Sequence, residues 1–226
     1  MKALIFDCDG VLVDSEALAE ETLEVYLSQW LPDLDIPTLL GQALGMTTAN
    51  ILRYLAQRSA YQLQPDAAEQ IDTAIEARLA RELKAIDGVQ AAISAINLPK
   101  AVVSNSRRSR VLASLAGTQL AETLSDVPIF TAEQVANPKP DPAIYQLAAT
   151  TLGCAPHHCL VVEDSVAGVT AAHAAGMCVI GFVGASHLDD QQASRLIEAG
   201  AWRVLPHMQG LNALVSEWQA SLSAES

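Results

Sequence analysis

Basic residues are scarce in this sequence of 226 residues, which has 13 lysines and arginines against 26 aspartates and glutamates and a formal net charge of −13. Nucleic acids and anionic membranes bind proteins mainly through clusters of Lys and Arg. The scarcity therefore argues against both as the main partner. A small anionic substrate remains compatible with it, because such a ligand needs only a few local cations.

Closely spaced cysteine pairs are also missing, and the first residues do not have the pattern expected of a secretory leader. The chain has four cysteines, none of them in a Cys-X-X-Cys pair, and a chain of this length does not depend on a disulfide framework. Lys2 is followed by only a short apolar run before Asp7, which is not the pattern of a signal peptide. We therefore expect reduced thiols in a cytoplasmic protein.

Metal-binding cysteine and histidine spacings are absent as well. Residues 154–159 (Cys-Ala-Pro-His-His-Cys) resemble a metal cluster only superficially, because their spacing matches no structural zinc signature. They fall in a short connection between a helix and a strand, where His157 and His158 should point apart. We expect no zinc or copper site there.

One long stretch, residues 166–188, lacks any formally charged side chain and at 23 residues could span a bilayer. Its four glycines and two histidines lower its hydropathy. Its middle, around Gly176–Cys178, is typical of a helix end followed by a buried strand. We interpret the stretch as part of a water-soluble fold, and we expect no membrane partner.

Hydrophobic residues are plentiful, at 50% of the sequence, which is typical of a packed globular protein. A buried strand is predicted over residues 2–7, and a helical pattern broken by Pro and Gly into about four helices runs from Ser15 to about Leu83. After Asp87–Gly88, strands and helices alternate. The further strands are predicted at residues 100–104, 128–131, 160–163, 179–182 and 203–205, with helices from about Arg107, from Pro142 and from Ser165. The tail from Ser221 to Ser226 is expected to fray.

This alternation predicts an α/β fold with a parallel sheet covered on both faces, interrupted after its first strand by an all-helical insertion. Ligands of such sheets bind at the carboxyl ends of the strands. The first strand ends in Phe6–Gly10 (Phe-Asp-Cys-Asp-Gly), where Asp7 and Asp9 suit a nucleophile and an acid/base on a tight turn. An ordinary acidic loop is the alternative.

Two further strand ends carry groups suited to an anion. The Ser104 hydroxyl, with nearby backbone N–H groups, can donate to a phosphate oxygen, although Ser is also a routine helix N-cap. Lys139 lies in Asn-Pro-Lys-Pro-Asp-Pro, where flanking prolines restrict the backbone and fix the position of the charge. A rigid surface turn with a solvated lysine is the alternative there.

The fourth strand end is Glu163-Asp164. Two adjacent carboxylates at the end of a buried strand lower the stability of the fold unless they accept hydrogen bonds or bind a cation. Near Asp7 and Asp9 they would form a cluster of like charges that calls for Lys139 and a divalent metal. Hard oxygen ligands favour Mg²⁺ over zinc or copper.

These four motifs, in this order and spacing, resemble those of the haloacid dehalogenase-like (HAD) hydrolase superfamily, over nearly the whole chain. The resemblance implies a Rossmann-like core over residues 1–14 and 85–226 and a helical cap over residues 15–84. Asp9 separates the chain from the dehalogenases, which lack this aspartate and use no metal. The subgroup it resembles is that of the sugar-phosphate phosphatases and β-phosphoglucomutase-like mutases.

The resemblance also implies a role for each motif residue. Asp7 would attack phosphorus and form an aspartyl-phosphate, and Asp9 would protonate the leaving group and later deprotonate water. Ser104, the Asn105 backbone and Lys139 would hold the phosphate oxygens. The ligands implied for Mg²⁺ are Asp7, the backbone carbonyl of Asp9, Glu163 and Asp164. The implied partner is a small phosphorylated metabolite, bound by a monomer or weak homo-oligomer.

Substrate choice is expected to depend on the cap, which has no Lys or Arg before Arg53. The stretch around Gly45 that resembles the family's specificity loop therefore lacks the basic group with which a mutase clamps a second phosphate. This favours a phosphatase for a sugar or sugar-acid monophosphate. Arg53 or the Arg107/Arg108 pair could partly compensate, although the charge run 107–110 is most simply a solvated helix face. A phosphomutase and a catalytically silent regulatory module remain the alternatives.

Overall fold

The computed structural model describes residues 1–42 and 48–224 of the chain. Two compact units are present: Met1–Asp14 together with Lys84–Ser226, and Ser15–Leu83. Lys84 belongs to the first unit, whereas the predicted boundary placed it in the insertion. The Asp14 N–H donates to the Lys84 carbonyl at 3.0 Å, and Val13 forms an antiparallel bridge with Ala85. The chain therefore leaves and re-enters the first unit at neighbouring backbone positions.

A six-stranded, fully parallel sheet forms the centre of the first unit, in the order β3-β2-β1-β4-β5-β6. The strands are β1 (Ala3–Asp7), β2 (Lys100–Ser104), β3 (Ile129–Thr131), β4 (Cys159–Glu163), β5 (Cys178–Phe182) and β6 (Arg203–Leu205). The predicted parallel sheet is confirmed, and the predicted first residue of each strand lies within one position of the observed one. Strand β1 lies between β2 and β4, so its carboxyl end is at the middle of the sheet.

Both faces of the sheet are covered, which explains why its strands are apolar runs rather than alternating sequences. Ile5, Val103 and Val161 belong to one buried cluster with residues of three of the helices. Leu4 and Phe6 point to the opposite face of β1, and both are also fully buried. Because both faces are covered, the polar side chains of these strands that could form a site lie at the strand ends.

Seven helices are described in the first unit: α5 (Val89–Ala95), α6 (Arg108–Gly117), α7 (Leu120–Thr123), α8 (Ala143–Leu152), α9 (Val166–Ala174), α10 (Gln192–Glu198) and α11 (Leu211–Ala224). The expected fraying from Ser221 is wrong for residues 221–224, which continue α11. Leu211, Val215 and Trp218 of α11 are buried at helical spacing and anchor it. Residues 225 and 226 lie outside the described part of the chain.

Four helices are described in the second unit: α1 (Glu16–Trp30), α2 (Ile36–Gln42), α3 (Thr48–Ala56) and α4 (Ala67–Glu82). They share a core of their own that includes Leu27, Leu55 and Ile71. Trp30 packs at the edge of this core, with its ring at 82° to that of Tyr26 and the ring centroids 5.3 Å apart. The described residues of this unit contain no strand, as the helical pattern predicted.

The uncharged stretch 166–188 contains helix α9, strand β5 and the segment that follows them. Its interpretation as a helix followed by a buried strand is confirmed. Within the described ranges, we find no helix with the length and apolar composition of a membrane span.

Candidate active site

Asp7 is the last residue of β1, and its side chain lies at the centre of the sheet edge with 6% of the residue exposed. Directly after it the chain turns back on itself, with the Gly10 N–H donating to the Val13 carbonyl at 2.8 Å. Gly10 has a φ of +77°, in the left-handed region that a glycine adopts without strain. The turn places Asp9 beside the edge, where its side chain is 14% exposed.

Lys139 supplies the positive charge of this edge. Its ammonium donates to Asp7 Oδ1 at 2.6 Å, to Glu163 Oε1 at 2.5 Å and to the Val103 carbonyl at 3.3 Å, and its side chain is 4% exposed. The Asn105 side chain holds the Lys139 backbone, accepting from its N–H at 3.0 Å and donating to its carbonyl at 3.2 Å. The Pro-flanked lysine therefore points into the site and not into solvent.

Glu163, the last residue of β4, is fully buried and accepts four hydrogen bonds. Lys139 and the Tyr145 hydroxyl donate to Oε1, at 2.5 and 2.9 Å. The Ser165 N–H and hydroxyl donate to Oε2, at 3.1 and 3.0 Å. Four donors match the four lone-pair directions of a carboxylate, so this buried charge is fully compensated.

The pKa values of Asp7 and Lys139 are shifted by their burial and by the excess of negative charge around them. Burial raises the pKa of Asp7 well above its ordinary value; the Lys139 charge opposes this, and the charges of Glu163 and Asp9 add to it. Burial by itself lowers the pKa of Lys139, but the carboxylates of Asp7 and Glu163 outweigh it, so that this pKa is raised well above its ordinary value. The lysine therefore stays charged among carboxylates.

Three carboxylates, those of Asp7, Glu163 and Asp164, are the one group of metal-ligating side chains found among the described residues. All three are buried, and their ligand oxygens lie within 4.8 Å of one another. Lys139 supplies one positive charge against these three negative ones. The all-oxygen donor set and the two remaining negative charges fit a hard divalent cation.

Two glycines allow the backbone to approach these carboxylates closely. A Cβ on Gly10 would lie 1.8 Å from Asp164 Oδ2, and a Cβ on Gly168, one turn into α9, would lie 1.8 Å from Glu163 Oε1. Gly168 donates its N–H to the Ser165 hydroxyl at 3.0 Å, which caps α9 next to Glu163. Both glycines therefore make room for the acidic cluster.

The Asp9 side chain is held by groups from β2 and α6. Asp9 Oδ2 accepts from the Ser106 hydroxyl at 2.7 Å and from the Ser104 hydroxyl at 3.2 Å. Arg110, in the first turn of α6, places Nη2 at 3.8 Å from Asp9 Oδ1. Its Nε is buried and has no hydrogen-bond partner.

The structure thus brings six of the predicted site residues to one edge of the sheet: Asp7, Asp9, Ser104, Lys139, Glu163 and Asp164. Asn105 reaches the same edge, where its side chain holds Lys139, a contact that the sequence did not predict. Arg107 is exposed at the N-cap of α6, and Arg108 donates to the Ile129 carbonyl. Gly45 lies outside the described residues.

Sequence reasoning missed three residues of this edge: Ser106, Arg110 and Tyr145. Ser106 follows Ser104 by two residues in a segment already singled out, so the doubled hydroxyl was a usable signal. Arg110 was visible only as part of the charge run 107–110. No local pattern marked Tyr145, whose hydroxyl reaches Glu163 from α8, a helix that packs against β2 and β3.

The segment 154–159 forms no group of metal ligands in the described structure. The expectation that its histidines point apart is wrong: the ring centroids of His157 and His158 are 4.2 Å apart. Both residues belong to one short 3₁₀ turn, Pro156–His158. His187 has a buried Nδ1 without a hydrogen-bond partner, and its Nε2 is 3.6 Å from Asp164 Oδ2.

Comparison with known families gives a match over most of the chain. The profile of the haloacid dehalogenase-like hydrolase family matches residues 4–182. The matched range includes both aspartates of the first motif as well as Ser104, Lys139 and the Glu163–Asp164 pair.

Individual relatives cover most of the chain as well. The Escherichia coli (strain K12) 6-phosphogluconate phosphatase is 31% identical over 188 residues, which cover 83% of this chain and 85% of that protein. The phosphorylated carbohydrates phosphatase of Thermotoga maritima is 32% identical over 226 residues, which cover 95% and 98%. A Deinococcus radiodurans hydrolase of the same family, solved with bound phosphate and sodium, superposes with a TM-score of 0.82 at 32% identity and covers 97% of this chain and 96% of its own.

Proposed function

Because this chain belongs to the haloacid dehalogenase-like hydrolases, we propose that it is a Mg²⁺-dependent phosphatase for a small phosphorylated sugar or sugar acid. The observation that carries the proposal is the buried arrangement of Asp7, Lys139 and the Glu163–Asp164 pair, with Asp9 two residues beyond the nucleophile. This arrangement places a carboxylate, a fixed cation and an acid/base group at one edge of a sheet.

In the first half of the reaction, a carboxylate oxygen of Asp7 attacks phosphorus and forms an O–P bond as the P–O bond to the sugar breaks. The electron pair of that bond stays on the leaving oxygen, which takes a proton from Asp9. Ser104, the Asn105 N–H and Lys139 stabilise the charge on the non-bridging oxygens. The product is an aspartyl-phosphate on Asp7 and a free alcohol.

In the second half, Asp9 accepts a proton from a water molecule, whose oxygen attacks the phosphorus of the aspartyl-phosphate. The bond between phosphorus and Asp7 breaks, which restores the carboxylate and releases inorganic phosphate. Asp9 therefore acts first as an acid and then as a base, and it regains in the second half the proton that it gave up in the first.

Mg²⁺ fits the chemistry of the donor set, and Asp7, Asp164 and the Asp9 carbonyl would hold it. When bound, the ion would offset the negative charge of the phosphate that an anionic nucleophile must approach. Glu163 already accepts four hydrogen bonds. In the proposed mechanism Glu163 therefore orients Lys139 through their hydrogen bond and does not bind the metal directly.

The substrate class is inferred from the named activities of the relatives and from the scarcity of basic residues. Two relatives are named as phosphatases of phosphorylated carbohydrates or 6-phosphogluconate. No Lys or Arg occurs from Ala3 through Leu52. A substrate with a single phosphate suits this charge distribution better than a bisphosphate does.

The test is phosphate release from a panel of phosphomonoesters, with Mg²⁺ and with EDTA. The panel contains 6-phosphogluconate, hexose and pentose phosphates, phosphoglycolate and glucose 1-phosphate. We expect Mg²⁺-dependent release by the wild type and a loss of at least about 10³-fold in Asp7→Asn, because the amide is not a nucleophile. Asp126→Asn, the same change at an exposed loop position, is the control and should keep full activity.

Activity of a well-folded Asp7→Asn variant equal to that of the wild type would rule out Asp7 as the nucleophile. Conversion of glucose 1-phosphate to glucose 6-phosphate without phosphate release would instead identify a mutase. Mass-spectrometric detection of phosphate on Asp7 during turnover would support the covalent intermediate.

A further inference from the structure

The Ser106 hydroxyl donates a hydrogen bond of 2.7 Å to Asp9 Oδ2. The Ser104 hydroxyl reaches the same oxygen at 3.2 Å. Arg110 approaches the other oxygen at 3.8 Å, which is beyond hydrogen-bonding distance. Arg110 therefore adds charge, whereas the two serines determine the direction in which the carboxyl group points.

The backbone around Ser106 is itself fixed. Its N–H donates to the Ser104 hydroxyl oxygen at 2.9 Å, which ties the residue to the end of β2. Helix α6 begins two residues later, with Arg107 as its N-cap. Ser106 is half-buried between the exposed residues Asn105 and Arg107, and its hydroxyl is bonded to Asp9 from this short, anchored segment.

We infer that Ser106 is a positioning residue for Asp9 and orients the carboxyl group that transfers the proton to the leaving group. The inference rests on the proposed function, in which Asp9 is the acid of the first half-reaction. Ser106 does not touch the phosphorus or the leaving oxygen in this account. Its effect on the reaction passes entirely through Asp9.

Ser104 cannot take over this task during turnover, because in the proposed reaction its hydroxyl donates to a phosphate oxygen. A hydroxyl has one proton to donate. Once Ser104 donates to the substrate, Ser106 becomes the serine that still donates to Asp9. Asp9 follows β1 on a turn, so its side chain needs a fixed partner to keep one orientation while the P–O bond breaks.

A leaving-group comparison isolates this role. The alkoxide of a sugar is a poor leaving group and needs the proton of Asp9, whereas p-nitrophenolate leaves readily without one. The value of kcat/KM includes only the steps up to departure of the leaving group, so the later hydrolysis of the aspartyl-phosphate does not affect it. The substrates are p-nitrophenyl phosphate and the hexose or pentose phosphate that the wild type hydrolyses fastest.

Three variants are compared with the wild type on both substrates. For Ser106→Ala we expect kcat/KM to fall about 10- to 100-fold with the sugar phosphate and less than about threefold with p-nitrophenyl phosphate. Ser106→Thr keeps a hydroxyl and should stay closer to the wild type than Ser106→Ala does. Ser109→Ala removes an exposed hydroxyl from the first turn of α6 and should change neither value.

Equal losses on the two substrates would overturn the inference, since they would indicate a general structural effect, which unfolding midpoints of the variants would also detect. Unchanged values in Ser106→Ala would overturn it too. So would a rise in KM for the sugar phosphate at unchanged kcat, because that result means direct binding of the sugar. Failure of the proposed function has a different signature, namely a wild type that releases no phosphate from either substrate.

Discussion

At the scale of single residues, the site depends on one buried cation that is shared by two carboxylates. The Lys139 ammonium lies within 2.6 Å of oxygens of both Asp7 and Glu163, and all three side chains are almost fully buried. A buried ion pair adds little net stability when intact, but removal of one partner leaves an uncompensated charge. The lysine is therefore expected to matter for folding as well as for chemistry.

We predict that Lys139→Met lowers the free energy of unfolding by about 3–5 kcal/mol at neutral pH in metal-free buffer. The measurement is urea denaturation in EDTA. Lys84→Met, at an exposed position, is the control and should stay within about 0.5 kcal/mol of the wild type. An equally small change in Lys139→Met would show that Lys139 is not needed to balance the buried carboxylates.

The same variant should show a distinctive pH dependence. Burial already raises the pKa of Asp7, and loss of the opposing lysine charge raises it further. A carboxyl group with a raised folded-state pKa stabilises the fold at low pH and loses that contribution as the pH rises. The difference in the free energy of unfolding between the wild type and Lys139→Met should therefore shrink as the pH is lowered towards about 4, the ordinary carboxyl pKa.

At the scale of helices and strands, the sequence predicted where the strands lie but not how their neighbours contact them. Strand β2, a buried apolar run that ends at Ser104, has the predicted bounds, and so does the short edge strand β6. The contact between Tyr145 and Glu163 depends on the rotation and position of α8 on the sheet, where the helix packs against β2 and β3. No local periodicity encodes that packing, and the same holds for the pairing of Asn105 with the Lys139 backbone, 34 residues away.

The role of the site glycines was likewise hidden, because it is a property of two elements together. Gly168 is the third residue of α9. The need for a glycine at this position follows from the packing of α9 against Glu163, because a Cβ on Gly168 would lie 1.8 Å from Glu163 Oε1. Since Glu163 is held by four hydrogen bonds, it cannot move aside without breaking some of them.

We predict that Gly168→Ala destabilises the protein by about 1–3 kcal/mol through overpacking, and that it reduces activity because Glu163 and Lys139 shift. Gly117→Ala is the matched control: Gly117 ends α6, and a Cβ there meets nothing within 4 Å. It should stabilise the protein by about 0.5–1 kcal/mol or leave it unchanged. Thermal unfolding and phosphate release measure both effects, and similar behaviour of the two variants would contradict the packing argument.

At the scale of the whole molecule, two cores are encoded in one chain. The sheet unit and the helical unit each bury their own apolar cluster. The inserted residues begin and end next to the hydrogen bond between Asp14 and Lys84. We propose that residues 15–83 behave as a separate folding unit within the chain.

A matched pair of core substitutions tests this proposal. Leu27→Ala lies in the helical core and Leu160→Ala in β4, and both leucines are fully buried. Each should cost about 2–5 kcal/mol. Hydrogen exchange followed by mass spectrometry should show weakened protection only in the unit that carries the substitution. Equal loss of protection in both units after either substitution would mean that the chain unfolds as one body.

The tryptophans divide between the two units in the same way. Trp30 packs at the edge of the helical core, whereas Trp218 is buried in α11 and Trp202 precedes β6, and the chain has no other tryptophan. Replacing Trp30 with Phe therefore leaves tryptophan emission from the sheet unit alone, and replacing Trp202 and Trp218 leaves tryptophan emission from the helical unit alone. The protein thus carries a native optical label for each half, and rapid-mixing fluorescence can time their folding separately without any added dye.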